Sequence, residues 1–168
     1  VPLEGDCTVV FVASFDTTPG DTTPGDTTPG GTTPGKASLG VVIGDGDDGW
    51  IGVTPDGALH ARFSSADGGW SAAGGGDVSR RSVWTLVRRG DTLSALRDGQ
   101  LIGRTDNASR TTMNAGLIMG MREDANRMDG SLSEVIVFDT ALADERLDVL
   151  WGYLRDRHKI DSGGVRSK

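Results

Sequence analysis

The chain is poor in the side chains that most enzymes and most stapled domains rely on. It has one cysteine, Cys7, so an internal disulfide is excluded. Cys7 lies in an apolar, β-favouring run, which predicts a small buried thiol and not a reactive one. Histidines number two, His60 and His158, far apart in sequence. A serine or cysteine triad would have to place one of them beside a nucleophile and an orienting acid, and nothing marks such a set. Aromatic residues are only 5% of the chain. Nowhere does an apolar run approach the about 18 residues that a membrane span needs. Basic residues are outnumbered, 17 Lys and Arg against 24 Asp and Glu, for a formal charge of −7. That balance argues against nucleic acid and anionic membrane as partners, since both need basic surface. No signal peptide is visible ahead of the first strand, and the chain starts at Val1, which leaves a longer leader open.

What the chain has in quantity is glycine, 26 of 168 residues, set among Asp, Thr and Ser clusters. These clusters separate short apolar runs, the pattern of an antiparallel β-sandwich with many turns. The length suits a single domain, residues 1–168, with a sizeable core. Strands are expected at Thr8–Phe15 and Ser38–Gly44, and in a hairpin, Trp50–Thr54 with Ala58–Ser64, around Pro55–Gly57. A meander of Val83–Arg89, Thr92–Arg97 and Gln100–Thr105 turns at Arg89–Asp91 and at Asp98-Gly99. Another strand is expected at Gly116–Met121. Ser131–Phe138 reads as a central strand, because Val135, Ile136, Val137 and Phe138 need cover on both faces. A helix follows it, with Leu147, Leu150, Trp151 and Leu154 on one stripe.

Between the first two strands lies a five-residue repeat, DTTPG three times and GTTPG once, over residues 16–35. Each Pro-Gly suits the centre of a type II turn, and a segment without one large apolar side chain cannot build a core. In polyproline geometry it would reach about 60 Å. It is either an insertion that a surface loop tolerates cheaply or an arm that touches a neighbour. As an arm, its contact residues would be Asp16, Thr17, Thr18, Pro19, Asp21, Pro24, Asp26, Pro29 and Pro34.

Two stretches carry a resemblance. Trp84–Asp106 is similar to the meander of laminin-G-like domains in the concanavalin A-like lectin and glucanase superfamily, through Trp84, Asp98, Gly99, Leu101, Gly103 and Thr105. Leu117–Leu154 resembles the close of those domains, through Gly120, Gly130, Leu132, Glu134, Val135, Ala141, Leu142, Asp144, Gly152, Tyr153 and Leu154, and Gly5–Phe15 fits their opening strand. The resemblance covers nearly all the chain except the repeat. It implies an all-β fold, an antiparallel jelly-roll sandwich of two sheets with one C-terminal helix. The matched residues are structural, so fold transfers better than function.

Glucanases of this superfamily alternate carboxylates along one strand, so that an acid and a nucleophile share a face. No such run occurs here, since Glu134 and Asp139 differ in parity and Glu123-Asp124 are adjacent. The expectation is a protein that is not an enzyme. Many lectin-like members bind calcium, and two loops offer hard oxygen ligands: Asp45, Asp47 and Asp48 in one, Asp124, Asn126 and Asp129 in the other. The same residues are what solvated turns want, and no cofactor is required. A glycan platform needs an aromatic beside polar loop groups, for which Trp50 and Trp70 are the candidates, with Trp70 expected to be the more exposed. Trp84 and Trp151 fall on core positions.

Two functions follow. The leading expectation is a non-catalytic structural or adhesive module displayed on a virion or extracellular surface, such as a phage capsid decoration (cement) or tail-fibre protein, with protein neighbours as partners. The alternative is a carbohydrate-binding module of a secreted adhesin or polysaccharide-degrading enzyme, with surface glycans as partners.

Overall fold

A computed structural model describes residues 2–3, 5–15, 40–44, 49–54, 57–63, 69–72, 77–106, 113–114 and 130–161. The repeat at 16–35, both acidic loops (Asp45, Asp47, Asp48; Asp124, Asn126, Asp129) and the strand expected at 116–121 lie outside these residues.

In chain order the strands are β1 Pro2–Leu3, β2 Cys7–Phe15, β3 Gly40–Gly44, β4 Trp50–Val53, β5 Leu59–Arg62, β6 Trp70–Ser71, β7 Ser82–Arg89, β8 Thr92–Arg97, β9 Gln100–Thr105, β10 Met113–Asn114 and β11 Gly130–Phe138. Among the described residues one helix, α1, spans Asp144–His158. All pairings are antiparallel. They make a five-stranded sheet in the order β11-β2-β7-β8-β9, a four-stranded sheet β3-β4-β5-β6, and a short pair β1-β10. The fold is the expected jelly-roll sandwich with one helix.

Alternation along β2 sorts the core. Cys7, Val9, Phe11, Ala13 and Phe15 point inward and meet Ile43, Ile51, Val53, Leu59, Ala61 and Phe63 from the facing sheet. Val10 and Val12 point outward and, with Val83 and Val87 of β7, receive Leu147, Trp151 and Leu154 of α1. Period 2 thus feeds two cores from one strand. The stripe of α1 is the one its spacing predicts, and each fully buried side chain in it contributes about 1.5–3 kcal/mol.

The helix start lacks a side-chain cap of its own. It is held from the sheet instead. Thr8 Oγ1 donates to Thr140 O at 3.0 Å and accepts from Leu142 N at 2.9 Å. Arg89 Nη2 donates to Leu142 O and to Asp144 Oδ1, each at 2.7 Å. Acidic residues in the first turn and Arg155, Arg157 and His158 in the last complement the helix dipole.

The meander forms as expected. Its Asp98-Gly99 turn has positive φ at both residues, 51° and 84°, the mirror-image geometry a two-residue hairpin prefers. Asp98 Oδ1 accepts from Val83 N at 2.8 Å and fixes the turn to β7.

One placement differs from expectation. The strand at 130–138 is not central. β7 is the middle strand, and β11 flanks β2 at one side of the described sheet. Its apolar run is explained by what covers it: Val135 and Val137 pack on the inner core, and Ile136 on the helix layer. A residue run reports cover on two faces, not rank within the sheet.

Trp84 is fully buried, stacked on Phe11 and edge-on to Phe15, with Arg97 4.7 Å above its ring. Arg88 is 1% exposed between the sheets, its guanidinium 4.9 Å over the Phe63 ring. Cys7 faces it in register, and burial pushes the thiol up to about 11 while Arg88 opposes the shift. No described helix is long and apolar enough to cross a membrane.

Candidate functional site

The four-stranded sheet turns Ile51, Val53, Leu59 and Ala61 to the core. Parity therefore sends Trp50, Gly52, His60 and Arg62 to its outer face. Register completes the layout, since directly opposed residues share a face. Trp50 pairs with Arg62, Gly52 with His60, and His60 with Ser71. The result is a small platform of Trp50, His60, Arg62 and Ser71. Ser71 is exposed and the other three are half-buried.

Within it the Trp50 and His60 rings stack, 6.2 Å between centroids and 28° between planes. Gly52, opposite His60, has no side chain to separate them. His60 Nε2 and Ser71 Oγ are 3.1 Å apart. Trp50 Nε1 is buried and has no hydrogen-bond partner among the described residues. Arg62 adds a permanent cation beside the indole. None of the described residues that these pairings place on the face with Trp50 is acidic.

Trp70 is elsewhere. It pairs with Ala61, so it shares Ala61's inward face. Half-buried, it packs against the inner core. Gly103 makes room for Ala72, the residue after Ser71: a Cβ there would lie 2.6 Å from Ala72 Cβ, and at ordinary contact distance, 3.5 Å, from the Trp70 ring. Trp50 and Trp70 stand on opposite faces of one sheet and do not form a single platform. Of the residues that do join Trp50, His60 and Arg62 have a signal in the sequence, the alternation Leu59-His60-Ala61-Arg62-Phe63, whereas Ser71 joins only through its pairing with His60.

The His60–Ser71 contact has the length of a nucleophile–base pair. The amide after Ser71, where a serine hydrolase often places an oxyanion donor, is spent, because Ala72 N donates to Leu59 O at 2.8 Å. The pair suits recognition of a hydroxyl more than acyl transfer. Among the described residues no cluster of three or more His, Cys, Asp or Glu is arranged to hold a metal ion.

A groove of about 310 Å³ opens on the other side, between α1 and β8–β9, floored by Val87, Leu96, Leu147 and Trp151 and rimmed by Arg89, Arg104 and Asp144. Its arginines are engaged, Arg89 with Asp144 and Arg104 with Asp106.

No protein-family model and no curated relative matches the sequence. Solved structures do match. A native heptameric SAP-like pentraxin from Limulus polyphemus is similar over 98% of this chain and 74% of its own, at 14% identity and a TM-score of 0.57. The CBM40 of the Ruminococcus gnavus IT-sialidase, bound to α2,3-sialyllactose, is similar over 89% of this chain and 84% of its own, at 17% identity and 0.57. Domain 4 of AbnA, an extracellular GH43 arabinanase from Geobacillus stearothermophilus, in complex with arabinotriose, is similar over 87% of this chain and 66% of its own, at 12% identity and 0.56. At these identities the likeness is one of fold alone: an antiparallel jelly-roll β-sandwich.

Proposed function

We propose that this chain is a non-catalytic carbohydrate-binding module and that Trp50, His60, Arg62 and Ser71 form its sugar-contacting face. The observation that carries the reading is the convergence, on one sheet face, of a stacked aromatic pair with a guanidinium and a hydroxyl. A sugar ring offers an apolar C–H face and a rim of hydroxyls. An indole takes the first, and Ser71, His60 and Arg62 take the second. Support also comes from the neighbours in fold, two of which were solved with oligosaccharides, sialyllactose and arabinotriose. The virion reading draws no such support. The repeat as a partner arm remains a separate proposal, decided by whether its removal alters assembly.

A glycan array tests the module, with Trp50→Ala as the control. Binding that disappears in the variant is the expected result. No binding by the parent protein, in buffer with and without calcium, would sink the reading.

A further inference from the structure

We infer that the groove beside α1 is a second ligand site, and that it takes an uncharged amphiphile, an alkyl or aryl group joined to a hydroxylated head. The site lies on the far side of the sandwich from Trp50 and does not depend on the carbohydrate-binding reading. Uncovered apolar surface is the first ground. Leu96 and Leu101 pair across β8 and β9. Leu96 packs against the helix layer, so both face that side of the sheet. Leu101 is 60% exposed, the only large apolar side chain of a strand to be exposed among the described residues.

A gradient along the groove is the second ground. Register sets Ser94 between Val87 and Arg104 in one row, and Leu96 between Thr85 and Leu101 in the next. Two residues of strand separate the rows, about 7 Å. The helix wall runs in the same sense. Asp144 is bonded to Arg89, Leu147 follows, and Trp151 reaches Thr85 with its indole N–H. From Asp144 to Trp151 is about 10 Å along the helix. Sheet and helix therefore place their polar groups at one end of the groove and Leu96, Leu101 and Trp151 at the other.

Charge sets the nature of the head. Arg89 Nη2 lies 2.7 Å from Asp144 Oδ1, and Arg104 Nη2 lies 3.0 Å from Asp106 Oδ1. Two cations and two carboxylates cancel at the polar end. An anionic head would compete with Asp144 and Asp106, and a cationic head with Arg89 and Arg104. A hydroxyl both donates and accepts, which suits a rim that offers guanidinium N–H groups, carboxylate oxygens and the Ser94 hydroxyl together. The volume of about 310 Å³ is at the small end for ligand sites and fits a short tail with one ring-sized head.

The test uses the whole chain and nuclear magnetic resonance, read at the indole N–H of Trp151, which Trp151→Phe assigns. Hexyl, heptyl and octyl glucoside are titrated below their micelle-forming concentrations, followed by octanoate and octylammonium. Saturable shifts of the Trp151 signal are expected, with affinity rising about two- to fourfold per added methylene. Octyl glucoside should bind about two- to fivefold tighter than either ion, the scale of one exposed ion pair. Leu101→Ser, a change at an exposed position, should make the hexyl and octyl forms bind alike. Arg104→Gln leaves Asp106 unmatched and should raise octylammonium relative to octanoate. An unmoved Trp151 signal, or shifts confined to the Trp50 indole, would overturn the inference. Equal affinity for all three heads would reduce the groove to a bare apolar patch, and tightest binding of octanoate would overturn the neutral head. A dimer that octyl glucoside dissociates, seen by sedimentation equilibrium, would give the groove to a second copy of the chain instead.

Discussion

The indole nitrogen of Trp151 lies 2.9 Å from Thr85 Oγ1, a buried bond that joins α1 to the middle strand of the five-stranded sheet. The same ring rests on the Asp98-Gly99 turn, where a Cβ on Gly99 would come within 3.1 Å of Trp151 Cε3. Trp151→Phe keeps most of the packing but orphans the Thr85 hydroxyl, and should cost about 1–2 kcal/mol. Gly99→Ala adds the penalty of a side chain at φ 84° to that collision, for about 1–3 kcal/mol. Urea unfolding followed by tryptophan fluorescence measures both. A neutral Gly99→Ala would show that the turn does not hold the helix.

Trp50 and Trp70 should respond to truncation in opposite ways. Trp50→Ala removes the outer platform, so sugar affinity should fall by at least about tenfold with little change in melting temperature. Trp70→Ala empties a pocket against the inner core, with an expected cost of about 2–4 kcal/mol. Paired calorimetric melts and glycan titrations on the two variants separate the roles. Loss of stability from the first and of binding from the second would reverse the assignment of faces.

The thiol of Cys7 makes stability depend on pH at the alkaline end. Its ordinary value is 9.0 and burial raises it to about 11 in the fold. The folded state therefore holds its proton where the unfolded chain has lost it. The resulting contribution is complete below pH 9 and declines as pH rises toward 11, by on the order of 2–3 kcal/mol. Cys7→Ala should flatten that part of the profile while costing some packing. Ellman's reagent should react with the folded protein at pH 8 far more slowly than with the urea-unfolded chain.

Removing residues 16–35 should leave the sandwich intact. β2 ends at Phe15 and β3 starts at Gly40, so residues 36–39 still lie between the two strands after the deletion. Loop closure changes by only about 0.6 kcal/mol per doubling of length. The melting temperature should move by no more than a few degrees, checked by differential scanning calorimetry. Loss of the cooperative transition would mean the repeat contributes to the core.

Much of this architecture was legible in the order of residues. The meander from Trp84 to Asp106 declares itself through alternation and its Asp-Gly turn, and α1 through the spacing of Leu147, Trp151 and Leu154. These are local signals, carried by residues close in sequence. The rank of β11 was not legible, because lateral position depends on pairings across more than a hundred residues, as between Val135 and Phe11. The site was half legible. Composition singles out Trp50, whereas its company depends on the register of three strands. The inward turn of Trp70 follows from its pairing with Ala61, which no periodicity encodes.

The helix also gives the molecule a front and a back. α1 occupies the outer face of the five-stranded sheet, while Trp50 lies on the outer face of the other, so a full sandwich separates the two. Val149 and Tyr153, 75% and 50% exposed, project from the helix on the back. A label or tether introduced at Val149 would hold the protein by its back and leave the Trp50 side facing solution. Orientation on a sensor surface, or within a larger polypeptide docked through that helix, would then come from the fold alone.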